Sequence, residues 1–166
     1  AVRPTRWYTG TVPGEDRTPE DIDPARSRLT LNLGTSPLAI IRGIQRDLHV
    51  YPYYCTEQLV SIATPILALM RAEQVTPGVT SAHQRADIER AVAMISARQR
   101  DDGGIGYWSA LDWSTPWLSA YAGRVLLEAR AAGFAVDSAV IGLLADYVQR
   151  ALQDTDPPRA AVAWAY

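Results

Sequence analysis

From Gly34 onward the apolar residues recur at three- and four-residue spacing, which is the period of an α-helix packed on one side. Ser36 and Pro37 open the first such run as N-cap and first helical residue, with Leu38, Ile41, Ile44 and Leu48 on one stripe. A second helix is predicted from the Cys55 segment to about Glu73, and its Leu59, Val60, Ile62, Ile66, Leu67, Leu69 and Met70 make it apolar on most sides. A helix of that composition is buried. Pro65 falls inside it and is expected to kink or interrupt it, because proline removes one donor and crowds the preceding turn.

Thr80 or Ser81 caps a third helix predicted to run to about Arg100. It carries a single stripe of Ile88, Val92 and Ile95, while Arg85, Asp87, Glu89, Arg90 and Arg98 fill the solvent side. A glycine-rich loop, Asp101-Asp102-Gly103-Gly104-Ile105-Gly106-Tyr107-Trp108, separates it from a fourth helix. Thr115 and Pro116 open that helix, Leu118, Tyr121, Val125 and Leu126 fill it, and Gly133 ends it. Asp137 caps a fifth, with Ile141, Leu144, Tyr147, Val148 and Leu152, which stops at Asp156-Pro157-Pro158 before a sixth near Arg159. Ala163-Trp164-Ala165 has the look of a further inner helix. Buried and amphipathic helices alternate in pairs, the pattern of stacked helical hairpins. The fold class predicted is therefore all-α, with a domain from residue 35 to 166.

Residues 1–34 are different. Ala1 to Asp23 is rich in Pro, Thr and charge without helical period and reads as a linker or loop. Leu29-Thr30-Leu31-Asn32-Leu33 alternates as a half-buried strand does, and a lone strand needs partners, so this stretch is assigned to a neighbouring β domain.

With 166 residues and 48% apolar content, the chain has material for one core. A net charge of −2, from 16 basic and 18 acidic residues without a dense basic stripe, argues against nucleic acid as a partner. No apolar run reaches the roughly 18–20 residues of a membrane span. A single cysteine excludes an internal disulfide and a cysteine-based zinc site, and no metal or cofactor is predicted. All 16 basic residues are arginines, so no lysine amine is present to consume an acyl group; biased codon usage in an Ala- and Arg-rich genome is the simpler explanation.

The cysteine carries the candidate chemistry. Cys55 is followed three residues later by Gln58, and one tight turn brings such a thiol to the carboxamide carbon, so that loss of ammonia would leave an internal thioester. Tyr51, Tyr53 and Tyr54 stand beside it as candidate shields against water. Taken alone, a solitary cysteine at the start of a buried helix is more often a small core residue. His49 and His83 raise the idea of a Cys-His pair, for which surface or capping roles are the simpler reading. The glycine loop lacks the lysine and the spacing of a phosphate-binding loop and reads as a structural turn. Asp101 and Asp102 read as a solvated helix end, and Trp108, Trp113 and Trp117 as packing between hairpins.

Three segments, in order, resemble the thioester domain of alpha-2-macroglobulin-like proteins, especially the bacterial branch. They are Tyr51-Pro52-Tyr53-Tyr54-Cys55-Thr56-Glu57-Gln58, Asp102-Gly103-Gly104-Ile105-Gly106-Tyr107-Trp108, and Pro116-Trp117-Leu118-Ser119-Ala120-Tyr121. The resemblance covers roughly Leu29 to Tyr166. It implies part of an α/α toroid of helical hairpins within a large secreted or periplasmic protease trap, in some relatives anchored to the membrane. In such a trap, bait cleavage elsewhere in the multidomain chain exposes the thioester to amines of the attacking protease. The device is single-use, an endopeptidase inhibitor rather than an enzyme.

Carried over by position, Cys55 supplies the sulfur, Gln58 the acyl carbon and Glu57 the acidic position, while Tyr51, Tyr53 and Tyr54 form the shield. Tyr54 departs from the family, which usually has glycine before the cysteine. A histidine that some relatives use for transfer to hydroxyls is expected from a region past Tyr166. Half a toroid would also expose apolar faces, so self-association of this piece is expected. Two other readings stand beside the trap. One is a terpenoid-cyclase-like enzyme on the same toroid, against which Gln99, Gly103 and Trp108 are wrongly spaced and no acidic cluster is visible. The other is a binding module that has lost the thioester.

Overall fold

The computed structural model describes Ala25 and residues 53–73 and 81–153. The first and sixth predicted helices, the strand around Leu31, Tyr51 and His49 lie outside the described residues. Four helices are described: α1 (Thr56–Glu73), α2 (Ala82–Ser96), α3 (Pro116–Ala131) and α4 (Ser138–Leu152). All belong to one compact unit, and none is long and apolar enough to cross a membrane.

Each of α2, α3 and α4 begins where a short polar side chain satisfies an orphan backbone donor. Ser81 Oγ accepts from the Gln84 amide and Gln84 Oε1 accepts from the Ser81 amide at 2.7 Å, a complete capping box. Thr115 caps α3 ahead of Pro116, and Asp137 Oδ1 accepts from the Ala139 amide at 2.8 Å. Gly133 takes φ +89 just past α3, a left-handed conformation that ends the helix at little steric cost to glycine.

Packing follows the predicted alternation of inner and outer helices. α1 packs on both α2 and α3, and α3 packs on α4. Inner α1 contributes Leu59, Val60, Ala63, Ile66, Leu67 and Met70 to the core, and inner α3 contributes Ala122, Val125, Leu126 and Ala129. Outer α2 offers one stripe, Ile88, Ala91, Val92 and Ile95, while α4 has only Leu144 fully buried. α1 continues through Pro65 as one helix, so of the two expected effects, a kink or a break, the break does not occur. Burial of Ile62, Ala63, Ile66 and Leu67 on either side of the proline offsets the roughly 3 kcal/mol that an interior proline costs.

α2 stops at Ser96, four residues short of the predicted end. Backbone bonds from Arg98 to Ile95 and from Gln99 to Ser96 tighten the chain into a turn, and Gln99 then pairs with Ile105 in an isolated antiparallel bridge. That turn starts an ordered loop, residues 97–115, which is tied to three helices. The Ile105 amide donates to buried Ser119 Oγ on α3 at 2.9 Å, and Gln99 Nε2 donates to the Val140 carbonyl on α4 at 2.9 Å. Thr56 of α1 donates through its hydroxyl to the Gly106 carbonyl at 2.7 Å. Glycine is required by space at this crossing: a Cβ on Gly103 would sit 2.3 Å from the Leu143 carbonyl oxygen, and one on Gly106 would sit 1.9 Å from that of Ser109.

Two expectations about the surface change. Asp87, assigned to the solvent side of α2, is buried, because the stripe beside Ile88 is wide enough to cover it; His83 Nε2 stands 3.8 Å from its carboxylate. Trp108 and Trp113, assigned to packing between hairpins, are instead 52% and 55% exposed. Both belong to the loop and spend their aromatic faces locally: Trp113 stacks on Tyr107 at 4.8 Å and Trp108 meets the same ring edge-on at 5.6 Å.

Candidate functional site

Cys55 occupies the N-cap of α1. Its carbonyl accepts from the Leu59 amide at 3.0 Å, as an N-cap carbonyl does. Its own amide donates to Gln58 Oε1 at 3.3 Å, so the Gln58 side chain folds back across the first turn onto residue 55. Ser81 and Gln84 make the same contact at the start of α2. In both places glutamine at the third helical position reaches the N-cap amide, half of a capping box. The chemistry differs only in the cap: a serine hydroxyl at 81, a thiol at 55. A local helix-start preference thus carries the Gln58 carboxamide to the cysteine without help from distant residues.

Cys55 is 2% exposed and Gln58 half-buried, whereas Tyr53 and Tyr54 are 58% and 40% exposed. The sulfur-bearing residue lies under the surface and the two tyrosines lie on it. No described non-glycine residue has positive φ, Tyr54 among them, so a side chain in the place of the family's usual glycine imposes no left-handed strain. Glu57, in the first turn, accepts from Ser61 Oγ at 2.9 Å, and its charge suits the positive end of the helix dipole.

The segment is anchored from the loop. The Thr56 amide donates to the Tyr107 carbonyl at 2.9 Å, and the fully buried Thr56 hydroxyl donates to Gly106 O while accepting from Arg98 Nη1 at 3.1 Å. Arg98 Nη2 donates to the Tyr54 carbonyl at 2.6 Å. Arg98 was expected on the solvent face of a longer helix. Because α2 ends at Ser96, the helical period no longer places it, and it turns inward to 7% exposure. Burial holds its guanidinium below the ordinary arginine value, with the Cys55 sulfur acting in the opposite direction. Arg98, Thr56 and Gly106 are the site residues that sequence reasoning missed. The signals were position alone: Thr56 next to Cys55, and Arg98 and Gly106 at the edges of the Asp-Gly-Gly loop.

Thr56→Val keeps shape and removes both hydroxyl bonds, leaving Gly106 O and Arg98 Nη1 without a buried partner. A loss of about 1–3 kcal/mol is expected, read as a lower thermal midpoint. An unchanged midpoint would mean that water replaces the hydroxyl.

The fold and site together define a helical-hairpin domain with a cysteine–glutamine pair at the buried start of an inner helix. The chain belongs to the bacterial alpha-2-macroglobulins. It is 34% identical to alpha-2-macroglobulin of Rickettsia conorii over 121 residues, which is 71% of this chain and 6% of that protein. Native Escherichia coli alpha-2-macroglobulin, in a crystal structure running from domain MG7 to the C-terminus, aligns with TM-score 0.60 and 28% identity. The alignment covers 70% of this chain and 19% of that one. Salmonella alpha-2-macroglobulin, crystallised after reaction with methylamine, aligns with TM-score 0.59 and 32% identity over 70% of this chain and 8% of that one. No family model matches. The chain thus spans a small fraction of the length of the relatives it matches.

Proposed function

We propose that this chain carries the reactive centre of a protease trap, an internal thioester joining Cys55 Sγ to the side-chain carbonyl carbon of Gln58. The observation that carries the proposal is the bond from the Cys55 amide to Gln58 Oε1, which holds the carboxamide on the residue whose thiol would attack it. Formation balances as thiol plus primary amide giving thioester plus ammonia. Burial of Cys55 supports persistence of the product, because water is the competing nucleophile. The similarity to a Salmonella relative that reacts with methylamine supports amines as the opening reagents.

In this reading Cys55 supplies the sulfur and Gln58 the acyl group. Glu57 occupies the acidic position, and Tyr51, Tyr53 and Tyr54 form the shield. The target is a protease presenting an amine after it has cut a bait segment elsewhere in a larger chain, so the device acts once and is an inhibitor rather than an enzyme. The same reading places the protein in the periplasm, membrane-anchored facing it, or outside the cell, with the other domains of its own chain as partners. Closure of the hairpins into a toroid belongs to the proposal as well.

Intact mass before and after methylamine tests it, with a thiol-alkylating reagent as reporter. A mass lighter by one ammonia, with Cys55 alkylated only after methylamine, is the expected result. Full mass with a freely alkylated Cys55, in this chain and in any longer chain that contains it, would leave a capping box and a binding role.

A further inference from the structure

Arg98 is a buried cation with no anion beside it among the described residues. Its two bonds go to neutral acceptors, the Tyr54 carbonyl and the Thr56 hydroxyl, and no carboxylate among the described residues lies within ion-pair distance of it. The contrast with Arg100, two residues on, is direct: Arg100 Nε lies 3.5 Å from Asp102 Oδ2, and its Nη1 donates to the Asp112 carbonyl. A guanidinium taken out of water and left with neutral partners retains a large uncompensated charge. It also stays protonated at any physiological pH. The two residues it grips, Tyr54 and Thr56, flank Cys55 on either side.

We infer that Arg98 is the positioning residue of the Cys55–Gln58 site, holding the Tyr54 carbonyl on one side of the cysteine and the Thr56 hydroxyl on the other, and stabilising the thiolate released when an amine opens the acyl bond. The inference rests on the thioester reading above. In the opening step the amine nitrogen bonds to the Gln58 acyl carbon and the carbon–sulfur bond breaks. Its electron pair leaves on Cys55 Sγ, and the proton shed by the amine goes to solvent. Residue 58 ends as a substituted amide and residue 55 as a thiolate. While the thioester is closed the sulfur is neutral, so the ion pair with Arg98 exists only as the bond breaks, which is the condition for accelerating the step rather than merely tightening the ground state. Burial lowers the Arg98 value and the Cys55 sulfur acts in the opposite direction, in keeping with the grip of Arg98 on the residues either side of Cys55. Arg98 is thus an electrostatic trigger built into the loop.

The test uses Arg98→Lys, which keeps a charge, and Arg98→Gln, which keeps a donor. The expected result is methylamine opening slowed about 100- to 1,000-fold in Arg98→Gln, with partial rescue in Arg98→Lys, the range seen for loss of one charge-stabilising donor. A purely structural role predicts equal slowing in both variants, tracking their thermal midpoints, and would overturn the inference. So would wild-type rates in Arg98→Gln. If Arg98→Gln does not fold, the side-chain nitrogen resonances of Arg98 in the wild-type chain report instead. They are expected to move when methylamine opens the bond, and fixed resonances would overturn the inference. Should the wild-type chain show no loss of ammonia, the thioester reading fails by itself. Arg98 is then judged on the free thiol: slower alkylation of Cys55 in Arg98→Gln than in wild type keeps the charge coupling, and equal alkylation removes it.

Discussion

Cys55→Ala and Gln58→Ala are each expected to abolish covalent capture of methylamine or protease amines completely while leaving the helical spectrum almost unchanged. The size of the effect follows from covalency. In the thioester proposed above, one residue supplies the leaving sulfur and the other the acyl carbon, so neither variant retains a partial reaction. The structural cost is small by comparison. Cys55 is buried at an N-cap and loses one sulfur atom of packing, of the order of 1 kcal/mol. Gln58 loses the bond to the Cys55 amide, about 0.5–2 kcal/mol for a capping interaction. Covalent conjugates in either variant, read by intact mass after denaturation, would show that another residue pair carries the acyl group. Absence of conjugates together with a collapsed helical spectrum would instead assign the loss to the fold, showing that the cap stabilises the whole hairpin.

Gly106→Ala is expected to be strongly destabilising, because among the described glycines it would bring a Cβ closest to another atom. Its Cβ would lie 1.9 Å from the Ser109 carbonyl oxygen, a backbone atom that cannot rotate away. The loop must therefore open. Opening it strains the bridge from Gly106 to Ser114, the bond from the Gly106 amide to the Arg98 carbonyl, and the acceptor for the Thr56 hydroxyl. About 2–4 kcal/mol of destabilisation is expected, seen as a fall in the denaturant midpoint. The Cys55–Gln58 segment is expected to suffer with it, since Thr56 and Arg98 lose their seat. Gly142→Ala is the control. A Cβ there meets nothing within 4 Å, and replacing a glycine inside α4 is expected to raise stability by about 0.5–1 kcal/mol. Equal behaviour of the two variants would show that the loop is more yielding than its bonds suggest.

The contrast between these variants shows which parts of the protein were legible along the chain. Ser81, Thr115 with Pro116, Asp137 and Gly133 each do their work within four residues of themselves, so the ends of α2, α3 and α4 that they set are read from composition alone. The Cys55–Gln58 contact is of the same kind, a side chain folded back across one turn. Where prediction overran, at the end of α2, the cause was also physical: Ser96 to Arg100 contains no proline or glycine to stop a helix, and periodicity has no sign for a chain that turns to pair with Ile105.

Sequence alone determined the helical class, the alternation of inner and outer helices and the spacing that lets the Gln58 side chain fold back onto the Cys55 amide, because these follow from the helical period and from contacts across one turn. The tertiary structure decided the rest. Arg98 meets Tyr54 and Thr56 across separations of 44 and 42 residues, and Thr56 meets Gly106 across 50. Asp87 is buried, and Trp108 and Trp113 face solvent, through packing that no local period encodes. Whether a polar side chain lies in water or against a cysteine is fixed by which distant backbone comes to cover it, and that is settled only when the helices and the loop pack together.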